Sequence, residues 1–151
     1  MIKTPITYYG GKQNLAKTIV ALIPEHTTYT EAFAGGAAVF FLKSKVQNEI
    51  LNDTDNFVTT FYKVLHEDFQ ALKSKINVTA YSRVVYNVAL NMYKHPVFFS
   101  DLQRAWAFFV LTNMGFSGRI GSFGCYTKGT KAIGWEKKKE LFTPELRNRL
   151  K

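Results

Sequence analysis

The stretch TYTEAFAGGA, residues 28–37, decides the fold of this 151-residue chain. Its first six residues are rich in β-branched and aromatic side chains and favour a strand. The pair Gly35-Gly36 favours a tight turn, and residues 37–42 then favour a helix. A glycine turn at the start of a helix lets a ligand approach backbone amides closely. Since any strand-to-helix turn favours glycine, this pattern alone identifies no ligand.

The sequence on both sides of this turn alternates between helix and strand patterns. Residues 12–22 carry apolar side chains at helical spacing, and Pro24 ends that helix. Residues 49–52 favour a second strand, and residues 53–72 favour one long helix. Its apolar face comprises Phe57, Phe61, Leu65, Phe69 and Leu72. Such alternation predicts a mostly parallel α/β sheet whose ligands lie at the carboxyl ends of its strands.

The remainder of the chain favours helices followed by an irregular segment. Two helices are predicted near residues 79–94 and 101–112. Residues 115–134 contain six glycines and no helical period, which predicts an exposed loop or hairpin. The apolar run at residues 106–111 is too short to cross a bilayer, and the amino terminus lacks an apolar signal region. We therefore expect a cytosolic protein with no membrane partner.

Charge is concentrated in the last third of the chain. Residues 1–101 hold ten Lys and Arg against eight Asp and Glu, whereas residues 102–151 hold ten against three. A polyanion partner would explain this asymmetry, and so would a solvated basic helix around residues 136–140. The single Cys125 excludes an internal disulfide, and neither it nor the three scattered histidines have metal-ligand spacing. We expect no metal.

Two further segments have both a binding and a structural interpretation. Residues 8–12, YYGGK, precede a helix, but Ile6 and Gln13 stand where a Walker phosphate loop needs Gly and Ser or Thr. A plain turn with an exposed lysine is the structural alternative. Asp53 follows the second strand and could accept both hydroxyls of a ribose. It could equally cap the following helix, and the two roles can coexist.

In this order the segments resemble the Dam-like family of DNA adenine methyltransferases. That family has an aromatic-x-Gly-Gly-Lys opening, a Phe-x-Gly-Gly turn after the first strand and an Asn-Asp pair after the second. Residues 8–12, 33–36 and 52–53 match these motifs. Residues 113–119, NMGFSGR, resemble the stretch that leads into the family's target-recognition hairpin.

The resemblance implies a partial Rossmann-like, S-adenosylmethionine-dependent methyltransferase fold with a helical and hairpin target-recognition region. It implies a cofactor-binding α/β part at residues 1–75 and a DNA-recognition region at residues 76–151. The cofactor-binding residues it implies are Tyr8, Lys12, Phe33, Gly35, Gly36 and Asp53. Gly35 and Gly36 would face the methionine moiety, and Asp53 the ribose. Tyr8 replaces the family's usual Trp and keeps an aromatic face.

The partner implied by the resemblance is double-stranded DNA. Arg119 is a candidate for a base edge, and the lysines are candidates for phosphates. The predicted DNA-binding residues are Asn113, Phe116, Arg119, Lys128, Lys131 and Lys137. The family's Asn more often lies four residues before the Phe, where this chain has Thr112.

The family's catalytic Asp-Pro-Pro-Tyr turn does not occur in this sequence. The four prolines, Pro5, Pro24, Pro96 and Pro144, include no adjacent pair. The adenine amine is a poor nucleophile, so its hydrogens must be accepted during methyl transfer. We therefore predict no catalytic residue here and expect an incomplete chain that needs a downstream segment or a second chain. A non-catalytic DNA-binding module and an RNA adenine methyltransferase are the alternatives.

Overall fold

The computed structural model describes residues 2–125 and 130–150, with the backbone alone for residues 130–133. Within these ranges the chain forms eight α-helices and two β-strands. In chain order they are α1 (Ala16–Leu22), β1 (Thr28–Glu31), α2 (Ala38–Leu42), β2 (Asn48–Leu51), α3 (Asn56–Glu67), α4 (Phe69–Asn77), α5 (Arg83–Lys94), α6 (Asp101–Met114), α7 (Thr130–Lys139) and α8 (Pro144–Leu150). Single 3-10 turns lie at Lys12–Asn14, Pro96–Phe98 and Phe116–Gly118. The fold is mixed α/β and mostly helical.

The sheet consists of β1 and β2, which pair in parallel with Glu31 opposite Leu51 at their carboxyl ends. Pairing continues beyond the strands: the Asn52 amide donates to the Glu31 carbonyl at 2.8 Å, and the Ala34 amide donates to the Asn52 carbonyl at 2.9 Å. Carboxyl ends of neighbouring parallel strands meet at one edge of a sheet. The glycine turn after β1 and Asp53 after β2 are therefore brought together.

The single helix predicted over residues 53–72 is wrong, because two helices occupy this region. Asp55 begins α3 by accepting a hydrogen bond from the Phe57 amide at 2.8 Å. Asp68 ends it with φ −130° and ψ 48°, and α4 begins at the next residue. The predicted apolar face is nevertheless buried, apart from the half-buried Phe57. Asp68 is the one residue between the two helices, so the apolar face of α3 continues into α4.

The core is built around α6, which packs against both α3 and α5. Residues 105–114 are all buried, as expected of a helix that is apolar around most of its circumference. Ser100 and Gln103 start the helix with reciprocal side-chain to backbone hydrogen bonds. One continuous hydrophobic cluster joins residues from both predicted parts of the chain, from Ile6 to Leu146.

The predicted loop over residues 115–134 is too long, because α7 already begins at Thr130. Trp135 anchors this helix: it is 1% exposed and its indole donates to the Thr79 carbonyl at 2.9 Å. Trp106 of α6 donates to the Thr79 hydroxyl at 2.8 Å. Both tryptophans therefore form hydrogen bonds with Thr79. Local helical periodicity cannot predict such contacts, because the residues are far apart in the sequence.

The helix predicted over residues 12–22 starts late and does not bury its apolar stripe. The first turn is a 3-10 turn, and α1 begins at Ala16. Leu15 and Leu22 remain 62% and 78% exposed, whereas Ala16 is 3% exposed. The side of α1 that packs against the rest of the protein is the one that carries the small residue Ala16.

The helices described are all too short or too polar to span a bilayer. Across residues 2–125 and 130–150, His, Cys, Asp and Glu side chains form no cluster that could hold a metal ion.

Candidate functional site

Asp53 ties the two strand ends together. Its Oδ2 accepts a hydrogen bond from the Gly35 amide at 2.8 Å, and its Oδ1 accepts one from the Asp55 amide at 3.0 Å. The interpretation of Asp53 as the helix cap is wrong, because Asp55 caps α3. A half-buried carboxylate thus stands beside the glycine turn, and each oxygen keeps a second lone pair for another donor.

Tyr8 packs on the glycine turn. A Cβ atom at Gly35 would lie 2.9 Å from both Cδ1 and Cε1 of the Tyr8 ring, and one at Gly36 would lie 3.1 Å from Tyr8 Cβ. Gly35 also adopts a left-handed conformation with φ +48°. Both the close approach and the backbone conformation therefore require glycine at position 35.

Burial, with smaller contributions from the negative charges of Asp53 and Asp55, raises the pKa of Tyr8 above its ordinary value. Its ring therefore stays neutral at physiological pH, and the hydroxyl keeps its proton. A neutral aromatic face beside a carboxylate suits a ligand that is part apolar and part cationic.

Lys12 reaches back over the same turn. Its Nζ lies 3.4 Å from the carbonyl oxygen of Phe33, and its side chain is otherwise exposed. Phe33 is itself 68% exposed, which is unusual for a phenylalanine next to buried glycines. A cation and an exposed aromatic ring therefore flank the glycine turn.

All six residues predicted to bind the cofactor line one cavity of about 240 Å³. They come from three separate segments: the residue 8–12 turn, the glycine turn and the end of β2. The lining also contains residues that were not among these six: Gly10, Gly11, Ala34, Ala37 and Ala38. The cavity is smaller than the ~300–1,000 Å³ usual for small-molecule pockets. A cavity of this size can enclose only part of a ligand of nucleoside size.

Two residues that support this turn gave no signal in the sequence. Ala37 is fully buried and left-handed, with φ 47°, a conformation that costs an alanine ~1–3 kcal/mol. Tyr62 of α3 donates its hydroxyl to the Gly35 carbonyl at 3.1 Å, and burial raises its pKa far above the ordinary value. Backbone strain of the kind seen at Ala37 clusters at functional sites.

A larger cavity, about 790 Å³, lies beside β2 and contains none of the predicted residues. Two of its charged lining residues, Glu49 and Arg149, pair with each other, and Lys43 also binds Glu49. Burial acts to raise the pKa of Glu49, but the hydrogen bonds and charges of Arg149 and Lys43 outweigh it and hold that pKa below its ordinary value. These charges are satisfied within the protein, so we assign the cluster a structural role.

The predicted recognition segment forms a closed turn after α6. Gly115 and Phe123 form an antiparallel bridge, and the Phe116 amide donates to the Ser122 carbonyl at 2.6 Å. Ser117 is left-handed, with φ 53°. Among the residues that the structure describes, Ala37 and Ser117 are the non-glycine residues with positive φ, so each predicted site contains one.

The structure separates the predicted DNA-binding residues. Phe116 and Arg119 project from the same turn and are exposed. Lys137 instead lines a groove of about 490 Å³ next to Lys3 and Lys17. Lys128 lies outside the described residues, as does the side chain of Lys131.

The side-chain amide of Asn113, one of the predicted DNA-binding residues, forms hydrogen bonds within the protein. It is 9% exposed, and its Nδ2 donates to the carbonyls of Pro5 and Phe109 at 3.2 and 3.0 Å. Its Oδ1 accepts from the Thr7 hydroxyl at 3.1 Å. These bonds hold the segment before Tyr8 against α6, which is a packing role.

Comparison with known proteins identifies the family of this chain. The family model described as D12 class N6 adenine-specific DNA methyltransferase matches residues 8–122. A DNA N-6-adenine-methyltransferase from Escherichia phage P1 is 30% identical over 112 residues. That alignment covers 72% of this chain and 15% of the phage protein, so the chain spans a small part of its relative's length.

Proposed function

The chain belongs to the D12 class of N6 adenine-specific DNA methyltransferases, and we propose that it carries the S-adenosylmethionine-binding and DNA-recognising part of such an enzyme. The observation that supports this most directly is the cavity at the carboxyl ends of β1 and β2, where six predicted residues meet. We further propose that the two strands belong to a Rossmann-like sheet, since that fold binds its ligand at this edge.

The groups around the cavity fit the chemistry of S-adenosylmethionine. The Asp53 carboxylate can accept hydrogen bonds from ribose hydroxyls, and Lys12 can pair with the methionine carboxylate. The face of Tyr8 can pack on the sulfonium region, where it attracts positive charge. Gly35 and Gly36 leave room where a Cβ atom would collide with Tyr8. When bound, this cofactor supplies an electrophilic methyl group.

Substituting Asp53→Asn should weaken binding of S-adenosylmethionine, or of its demethylated product, by about 1–3 kcal/mol, the cost of losing hydrogen bonds to a charged group. Titration calorimetry on the 151-residue chain measures it. Affinity in the unsubstituted chain should be modest, because the cavity encloses only part of the ligand.

The matched control for this substitution is Asp55→Asn. It removes a negative charge two residues away, outside the cavity lining, and asparagine still caps α3. Equal losses for both variants would indicate a general charge effect and contradict a direct contact by Asp53. Absence of binding heat with either ligand would contradict the cofactor site itself.

For DNA we propose two separate contact regions, the turn at residues 115–124 and helix α7. Arg119→Gln should relax preference at one base pair, at a cost of about 1–3 kcal/mol for the preferred duplex. Lys137→Gln should weaken binding to all duplexes alike and reduce the slope of log affinity against log salt by about one. Fluorescence anisotropy across a salt series measures both effects.

The control for the DNA experiment is Lys45→Gln. This exposed lysine lies beside β2, where it lines the larger cavity, so its loss should leave the salt slope unchanged. Binding that is independent of salt, or a slope that changes equally for Lys45 and Lys137, would contradict the proposed contact regions.

We propose that this chain alone is catalytically inactive. Its sequence contains no Asp-Pro-Pro-Tyr turn, and the carboxylates near the cavity already have structural partners. A downstream segment or a second chain would have to supply the acceptor for the adenine amine and the aromatic ring that stacks on the base.

A further inference from the structure

Tyr9 belongs to the cofactor segment, residues 8–12, but its side chain contacts the recognition turn, residues 115–124. It stands between Tyr8 and Gly10, which both line the cofactor cavity, but is itself outside that lining. Arg119 donates from Nη2 to the Tyr9 hydroxyl at 2.7 Å, and its Cζ lies 4.4 Å from the centroid of the Tyr9 ring. An exposed arginine is thus both stacked and hydrogen-bonded on an aromatic ring that remains 56% exposed.

The backbones beneath this pair are fixed by tighter contacts. A Cβ atom at Gly118 would lie 2.5 Å from the carbonyl oxygen of Thr7. The backbone of the recognition turn is therefore in close contact with the residue that precedes the cofactor segment. Asn113 binds Pro5 and Thr7 from α6. Packing next to Tyr9 and Arg119 therefore holds the two backbones that carry them close together.

Stacking on Tyr9 leaves the guanidinium able to bind DNA. Arginine carries five N–H donors in one plane, and the Tyr9 hydroxyl accepts one of them. The remaining donors at the edge include pairs that match the O6 and N7 acceptors of guanine. An unsupported arginine would lose rotamer freedom on binding, whereas a stacked one has already lost part of it.

We propose that Tyr9 is a positioning residue for DNA recognition, which holds Arg119 in the conformation that meets a base edge. This inference rests on the proposed contact between the recognition turn and DNA. It also predicts that base preference depends on a residue of the cofactor segment, 110 positions away from Arg119.

The test is binding of the 151-residue chain to a pool of DNA duplexes with a randomised centre, followed by sequencing of the bound fraction. Tyr9→Ala should raise the Kd for the enriched duplex by about three- to tenfold, because Arg119 must then be ordered on binding. It should also flatten preference at the same base pair that Arg119→Gln flattens. Tyr9→Phe keeps the ring and loses the hydroxyl, and should have a smaller effect of the same kind.

Three results would overturn the proposal. Tighter DNA binding by Tyr9→Ala would mean that Tyr9 withholds Arg119 from DNA. An equal loss from Tyr9→Ala in the Arg119→Gln background would mean that Tyr9 acts independently of Arg119. Unchanged affinity and base preference in both Tyr9 variants would mean that the contact has no role in recognition.

Two controls separate this inference from the proposed function. S-adenosylhomocysteine should bind Tyr9→Phe and the unsubstituted chain equally, because Tyr9 does not line the cavity. If the unsubstituted chain binds no duplex at low salt, both the proposed DNA contact regions and this inference fail. If it binds duplexes with a base preference that Tyr9 substitutions leave intact, this inference alone fails.

Discussion

Supplied with S-adenosylmethionine and unmethylated duplex DNA, the 151-residue chain alone should transfer no measurable methyl groups. The adenine amine needs an acceptor for its hydrogens in the transition state, and the loss of one preorganised group of this kind costs about 10²–10³ in rate. The stacking aromatic of the Asp-Pro-Pro-Tyr turn would be missing as well, so the combined loss should exceed that of a single group.

Asp53 and Glu31 are poor candidates for this acceptor. Asp53 is held by the amides of Gly35 and Asp55 and would face the ribose. Glu31 accepts the Tyr29 hydroxyl at 2.9 Å and the Phe40 amide at 2.7 Å. Asp53 would therefore be occupied by the ribose, and Glu31 is occupied by contacts within the fold.

The measurement is transfer of radiolabelled methyl groups, with this chain alone and with a co-expressed segment that carries an Asp-Pro-Pro-Tyr turn. The complemented pair should be active, and the same segment with the aspartate of that turn replaced by alanine should not. Turnover by the chain alone would contradict the prediction. Inactivity of the pair would favour the non-catalytic DNA-binding module, and transfer to RNA in place of DNA would favour an RNA methyltransferase.

Glu49→Gln should destabilise the protein by about 3–5 kcal/mol, the scale of breaking a buried ion pair. The side chains of Glu49, Arg149 and Lys43 are only 8%, 6% and 3% exposed. Arg149 binds both carboxylate oxygens, donates to the Phe40 carbonyl at 2.6 Å and lies over the Phe40 ring. Loss of the carboxylate leaves two cations buried with no anion, and α8 loses its polar link to β2.

Urea unfolding at neutral pH measures this loss. The control is Lys63→Gln, which breaks an exposed ion pair with Asp101 and should change the unfolding midpoint little. An unchanged midpoint for Glu49→Gln would contradict the assigned structural role.

Acid should remove the same stabilisation in the unsubstituted protein. The pKa of Glu49 is lower in the folded chain than its ordinary value of 4.5. The unfolded state therefore binds the proton more readily, and the contribution of Glu49 is complete above that ordinary value and is lost as pH falls through the lowered folded pKa. The stability of Glu49→Gln should lack this part of the acid dependence.

Local patterns predicted the strand, glycine turn and helix around Gly35, because residues close in sequence largely determine a turn of this kind. The order of the motifs led to the resemblance, which the family match confirms. Local patterns did not predict the break at Asp68 or the start of α7 at Thr130. In α7 the decisive contact is that of Trp135 with Thr79, 56 residues away.

The sequence by itself predicted which residue types could surround a cofactor and that two strands would present them. The first strand ends at Glu31 and not at the predicted Phe33, and the second ends at Leu51 and not at the predicted Asn52. Only the tertiary structure decided that Tyr62 supports Gly35, that Asn113 is buried, and that Arg119 rests on Tyr9. Each of these contacts joins residues 27 or more positions apart. Each contact depends on a partner that the tertiary fold brings close, and the contacts of Tyr62 and Asn113 depend on burial as well. Neither condition is encoded in a local sequence pattern.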